Sequence, residues 1–179
     1  LDDFNRADGG AGSNWTNLLG SITITSNQVS GGSTQNVGYW NVTTYGANME
    51  AFITLPTKPA DTAIADIGIR IQDVGSIATV DGYSARVAAA AGTDTLSIQR
   101  IDNGTGTTLA SVSQEFTSGD SFGIRASGSR LELWYRSGSG LWQLLTTATD
   151  TTYTAGGYIS LTLVGSAVRG DNFGGGNSY

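Results

Sequence analysis

The sequence predicts an all-β chain whose two antiparallel sheets pack face to face as a jelly-roll sandwich. Three observations carry that reading. Apolar and polar residues alternate with period two in eight separate segments, the mark of strands with one packed and one solvated face. The chain holds 26 glycines, and Gly104, Gly119, Gly128, Gly138 and Gly156 fall in the breaks between segments, where positive φ costs least. The two ends nearly repeat each other, as Asp2-Asp3-Phe4-Asn5 and Asp171-Asn172-Phe173. Two such short acidic-aromatic strands can pair and close the fold.

The segments follow in order. Residues 21–25 alternate polar and apolar. In residues 47–55, Met49, Ala51, Ile53 and Leu55 share a face. Ile67, Ile69 and Ile71 alternate with Gly68, Arg70 and Gln72, and Tyr83, Ala85 and Val87 with Ser84 and Arg86. Leu96 and Ile98, then Phe122 and Ile124, continue the pattern. Leu131, Leu133 and Tyr135 alternate with Glu132, Trp134 and Arg136, and Ile159, Leu161 and Leu163 close the series. Residues 88–91 are the only helix-like run; Gly92 stops it, so it reads as a strand end and a turn. So many strands exceed one flat sheet, and two stacked sheets are the economical arrangement. Residues 1–173 are expected to form one domain. Residues 174–179, Gly-Gly-Gly-Asn-Ser-Tyr, read as a tail or the start of a linker. The chain begins with Leu1, and the expectation is a domain processed or excised from something longer.

Composition narrows the chemistry. Charged residues make up only 13% of the chain and the formal net charge is -6, which argues against nucleic acid or an anionic membrane as partner. There is no Cys and no His. Disulfides, zinc sites of the usual ligand types, Cys nucleophiles and Ser-His-Asp triads are therefore excluded. No apolar run approaches the ~20 residues that span a bilayer.

The residues also resemble a known family. Asp2-Asp3-Phe4-Asn5-Arg6 with Gly12-Ser13-Asn14-Trp15 is similar to the opening of concanavalin A-like lectin/glucanase domains of the laminin-G-like type. Ile67-Gly68-Ile69-Arg70, Gly82-Tyr83-Ser84-Ala85-Arg86, Leu96-Ser97-Ile98-Gln99-Arg100, Gly119-Asp120, Gly156-Gly157-Tyr158-Ile159 and Asp171-Asn172-Phe173 follow in the order usual there. The resemblance covers nearly the whole chain. It implies a concanavalin A-like jelly roll, a fold that serves lectins, glycosidases, lyases, adhesion modules and phage structural proteins. It also makes Trp15 a core plug.

A glycoside hydrolase needs two carboxylates close together on one face. The chain has no Asp/Glu-x-Asp/Glu, and the E-x-D-x-x-E strand of hydrolases in the resembled family is absent, so no catalytic residue is expected. A cross-strand pair of Glu132 with Asp66 stays open. Sugars bind by stacking on aromatic faces and by bidentate hydrogen bonds from planar groups. The candidate ligand-binding residues are Arg70, Gln72, Arg86 and Trp134 on polar strand faces, with Trp40 and Trp142 near strand ends. Calcium takes 6–8 hard oxygens. Asp2, Asp3 and Asp171 at paired termini offer carboxylates, and the resemblance adds a backbone carbonyl from an early loop, with Gly46 as its candidate.

The reading is a non-catalytic carbohydrate-binding or adhesion module of an exported or phage-surface protein, extracellular or on a virion, with glycan as partner and calcium as structural cofactor. The first alternative is a structural or decoration protein of a virion or filament, with neighbouring subunits as partners. The second is a polysaccharide-degrading enzyme with a site of unfamiliar form.

Overall fold

The computed structural model describes residues 1–32, 34–165 and 167–179. Its strands are β1 (Gly9–Gly10), β2 (Trp15–Leu19), β3 (Thr23–Thr25), β4 (Gln28–Ser30), β5 (Gln35–Trp40), β6 (Met49–Thr54), β7 (Ile64–Gln72) and β8 (Asp81–Ala88). They continue with β9 (Thr95–Asp102), β10 (Thr105–Ser113), β11 (Ser121–Ser127), β12 (Arg130–Arg136), β13 (Gln143–Thr149), β14 (Tyr158–Val164) and β15 (Arg169–Asn177). There is no helix among the described residues.

Two sheets stack. One has eight strands in the order β1-β3-β4-β15-β6-β11-β12-β13, the other seven in the order β10-β9-β8-β7-β14-β5-β2. The chain crosses between them repeatedly, as from β5 to β6 to β7 and from β13 to β14 to β15, which makes the sandwich a jelly roll rather than two separate meanders.

Period two decides what lies between the sheets. Met49, Ala51 and Ile53 of β6, Phe122 and Ile124 of β11, and Leu131 and Leu133 of β12 point inward from the eight-stranded sheet. Ile67 and Ile69 of β7, Tyr83 and Ala85 of β8, and Leu161 of β14 meet them from the other. All belong to one contiguous buried cluster. Fully burying each such side chain is worth about 1.5–3 kcal/mol. Trp15 is the expected plug, 6% exposed and packed against Trp40 and Phe173 at ring separations of 5.7 and 5.0 Å.

The ends of the chain meet. Asp2 N–H donates to Phe173 O at 3.0 Å and Phe173 N–H donates back to Asp2 O at 2.9 Å. The glycines beyond Phe173 are not a tail, which corrects the sequence reading. Gly174, Gly175 and Gly176 continue β15 and pair with Phe52, Ala51 and Glu50 of β6. Their role is packing: a Cβ on Gly174 would lie 2.2 Å from the Phe52 ring.

The alternation breaks in β7, where Ile71 leaves the core face of Ile67 and Ile69 for the outer recess with Ser84 and Gln99. Arg70, expected on the polar face, sits where β7 shifts register against β8, with φ of 52°. The bulge turns the side chain inward, where it is fully buried. Its guanidinium donates to Ala47 O, Tyr153 O and Gly128 O at 2.8, 2.8 and 2.7 Å. Gly128 lies in the turn between β11 and β12, so Arg70 ties the seven-stranded sheet to its partner.

Candidate functional site

The outer face of the eight-stranded sheet carries a row built by register. Gly174 of β15 faces Phe52 of β6, Phe52 faces Gly123 of β11, Gly123 faces Trp134 of β12, and Trp134 faces Leu144 of β13. In β6, β11 and β12 the neighbours of these residues are buried in the core, so Phe52, Gly123 and Trp134 point out. Phe52 stands between two glycines, and Gly123 leaves a gap between Phe52 and Trp134. Trp142, from the loop joining β12 and β13, leans on Phe52 with ring centroids 6.0 Å apart and planes at 64°. The Arg136 guanidinium stacks 5.1 Å from the Trp142 ring.

The result is a trench of about 220 Å³ lined by Glu50, Phe52, Gly123, Arg125, Trp134 and Trp142. All three aromatics are half-buried. Trp134 is pinned, since its Nε1–H donates to Glu132 Oε2 at 3.0 Å, and Glu132 is paired with Arg130 at 3.2 Å. Arg125 Nη2 donates to the Tyr179 carbonyl at 2.8 Å, while its Nε is buried and donates to nothing among the described residues. Fixed aromatic faces beside planar hydrogen-bonding groups suit a flat ligand with apolar faces and hydroxyl edges.

The sequence-predicted ligand residues divide. Trp134 and Trp142 come together here. Arg70, Gln72 and Arg86 lie on the other sheet and do not join Trp134. Arg70 is a buried strut. Gln72 donates from Nε2 to Gly156 O at 3.3 Å. Arg86 clamps Asp66 with two bonds of 2.8 Å; that bond raises the Arg86 pKa, although burial pushes the Asp66 carboxyl up. Trp40 is 7% exposed and packs in the core. On the outer face of the seven-stranded sheet, Ile77 and Val80 line a recess with Ser84 and Gln99 that measures only about 50 Å³, room for about one or two waters.

Glu132 and Asp66 belong to different sheets, so that open pairing is excluded. Glu50 and Glu132 do share the outer face, both in register with Arg125. Two strand spacings put their backbones about 10 Å apart, with Arg125 between them in register.

The expected calcium set does not converge either. Asp2 is nearly buried and held by Arg6 at 2.7 Å, by Trp15 Nε1–H at 2.8 Å and by Phe4 N–H at 2.8 Å. Burial opposes its ionisation, yet these bonds outweigh burial and its pKa is lowered. Asp3 and Asp171 are neighbours: burial, and then the Asp3 charge, raise the Asp171 pKa. Gly46 is elsewhere, its N–H donating to Asn177 Oδ1 at 2.7 Å. Asn177 is six residues along β15 from Asp171, about 20 Å in an extended strand. No cluster of three or more acidic, His or Cys side chains able to hold a metal occurs among the described residues. Two carboxylates fall short of a calcium cage.

Phe52 was missed by sequence reasoning, and its signal was parity. It falls on the polar side of the alternation set by Met49, Ala51 and Ile53, where an aromatic has no core to fill.

Fold and geometry define the class: the chain has the concanavalin A-like jelly-roll fold of lectin-like domains. It is similar to the carbohydrate-binding module CBM66 from Bacillus subtilis, with a TM-score of 0.71 and 15% identity over 92% of this chain and 96% of that one. It is also similar to the exoplasmic/lumenal domain of VIP36 in its Ca2+-bound form, with a TM-score of 0.70 and 15% identity over 100% and 90% of the two chains. A legume lectin-like domain from Entamoeba histolytica gives a TM-score of 0.63 and 12% identity over 93% and 91%. Neither a family model nor a curated protein sequence matches the chain.

Proposed function

We propose that the chain is a non-catalytic glycan-binding module and that the trench between Phe52, Trp134 and Trp142 is its binding site. The observation that carries this is the outward aromatic row with Gly123 as its floor. Gly123 supplies space, the indoles supply faces for stacking, and Glu50 and Arg125 supply edges for hydroxyl groups. The trench lies open along a sheet face, which suits the side of a sugar chain better than a single enclosed unit. The fold's company supports the same reading, since solved structures similar to this chain include a carbohydrate-binding module and a mannose-bound form of VIP36. Placement on an exported protein or a phage surface, where glycans are met, is part of the proposal.

A glycan array probed with the labelled protein tests it. Hits that are lost in the Trp134→Ala and Trp142→Ala variants are expected. Hits that persist unchanged in both variants would remove the trench as the site.

A further inference from the structure

The trench has an unusual charge environment for this chain. Nine Lys and Arg face fifteen Asp and Glu, so acids are in surplus and basic side chains are expected to find them. Arg6, Lys58, Arg86, Arg100 and Arg130 do, each with a carboxylate within 3.2 Å. Arg70 is consumed by three backbone carbonyls. Arg125 and Arg136 are different. Neither pairs with an Asp or Glu side chain among the described residues; Arg125 Nη2 is held by the Tyr179 main-chain oxygen at 2.8 Å, and the Nε atom of each is buried without a hydrogen-bond partner. A buried, unsatisfied donor is destabilising, and more so when it is charged.

Both lie on the same outer face and bracket the trench. Along β11 the outward positions are Ser121, Gly123 and Arg125. Arg125 lines the trench on one side of Gly123. On the other side Arg136 reaches across from β12, its Nη2 donating to Ser121 Oγ at 3.1 Å while its guanidinium lies against Trp142. Ser121 and Arg125 are four residues apart, about 13 Å in a strand. The two guanidinium groups thus flank the aromatic row on its two sides along the strand direction, Arg136 against Trp142 and Arg125 beyond Gly123. Planar guanidinium groups recognise carboxylate and sulfate oxygens best, because two parallel N–H bonds can form at once; with each Nε buried, the fork offered here is the pair of Nη atoms.

We infer that the glycan taken by this trench is acidic, a chain whose sugars carry carboxylate or sulfate groups received by Arg125 and Arg136. This inference rests on the trench being a glycan site. Glu50, which also lines the trench, opposes such a ligand and sets the sign of a control: Glu50→Gln strengthens binding of an anionic chain, whereas Arg125→Gln weakens it. Because the contacts lie at a surface, added salt weakens binding of an anionic chain as well.

The test is an array with three sets of immobilised oligosaccharides: neutral chains, uronate-containing chains and sulfated chains. Hits are then titrated calorimetrically against methyl-esterified uronate or desulfated counterparts. Hits are expected in the uronate or the sulfated set, and the set that responds identifies the acid. Capping or removing the acid should weaken binding at least tenfold, as should Arg125→Gln and Arg136→Gln. Each variant is first checked for unchanged melting. Neutral chains that bind as well as their acidic counterparts, lose binding with Trp134→Ala and keep it with Arg125→Gln would overturn the acidic assignment and leave the trench standing. No hit in any set would overturn the glycan reading itself.

Discussion

Trp15 Nε1–H donates to Asp2 Oδ2 at 2.8 Å, so the first acid of the chain fixes the orientation of a core tryptophan. The same carboxylate takes two bonds from Arg6, while the Asp2 backbone pairs with Phe173. One residue therefore joins the N-terminal turn, the core and the last strand.

Replacing it should loosen all three. Asp2→Ala is expected to cost about 2–4 kcal/mol, because it strands the indole N–H and removes charge-assisted bonds. Urea denaturation measures this. A loss under about 0.5 kcal/mol would mean that Asp2 contributes only a surface ion pair.

Arg70 is the strut between sheets, and its removal should act on stability alone. Arg70→Met leaves the carbonyls of Ala47, Tyr153 and Gly128 without their donor, at a cost of about 3 kcal/mol or more. Glycan affinity of the folded fraction should not change, because the trench lies on the opposite sheet. Altered affinity at unchanged stability would restore Arg70 as a ligand residue.

Acid should expose a second tie. Burial opposes the charge on Asp150, but bonds from Tyr83, Thr152 and Arg100 outweigh it and hold its pKa down to about 2. A carboxyl depressed in the folded state stabilises above its unfolded pKa, and that contribution is lost as pH falls from about 4 to about 2. The loss is worth about 2 kcal/mol. Asp150→Asn should flatten the acid limb of a stability-pH profile. The partner behaves oppositely: burial, with Asp150, pushes Tyr83 up to about 12. Its contribution is full below pH 10 and falls as pH rises from about 10 to about 12.

Asp3 and Asp171 should repel each other. In chelator at pH 7, Asp3→Asn is expected to raise the melting temperature by a few degrees, the effect of up to about 1 kcal/mol in a chain of this size. If calcium instead raises melting of the wild type and not of Asp3→Asn, a cation joins the two carboxylates.

Legibility of the sequence followed the depth of burial. β6, β7, β8, β9, β11, β12 and β14 announce themselves because one face of each packs in the core and the other does not. β10 and β13 are edge strands with side chains mostly exposed or half-exposed on both faces, so no alternation marks them. Trp134 was legible by parity, and Phe52 by the same rule applied to β6. The pairing that brings them together was not, because register is a property of two strands and each sequence segment shows only one. Arg70 defeated the rule itself: a single bulge reversed its face.

The central claim is that sugar stacks on the trench. Calorimetric titration of the best array ligand into the wild type, Trp134→Ala, Trp142→Ala and Arg86→Ala tests it most directly, since Arg86 lies on the opposite sheet. The account predicts that each Trp variant loses about 1–3 kcal/mol of binding, judged from base-aromatic stacking, while Arg86→Ala binds as the wild type does. Loss of binding in Arg86→Ala with full affinity in both Trp variants would contradict it and move the site to the seven-stranded sheet.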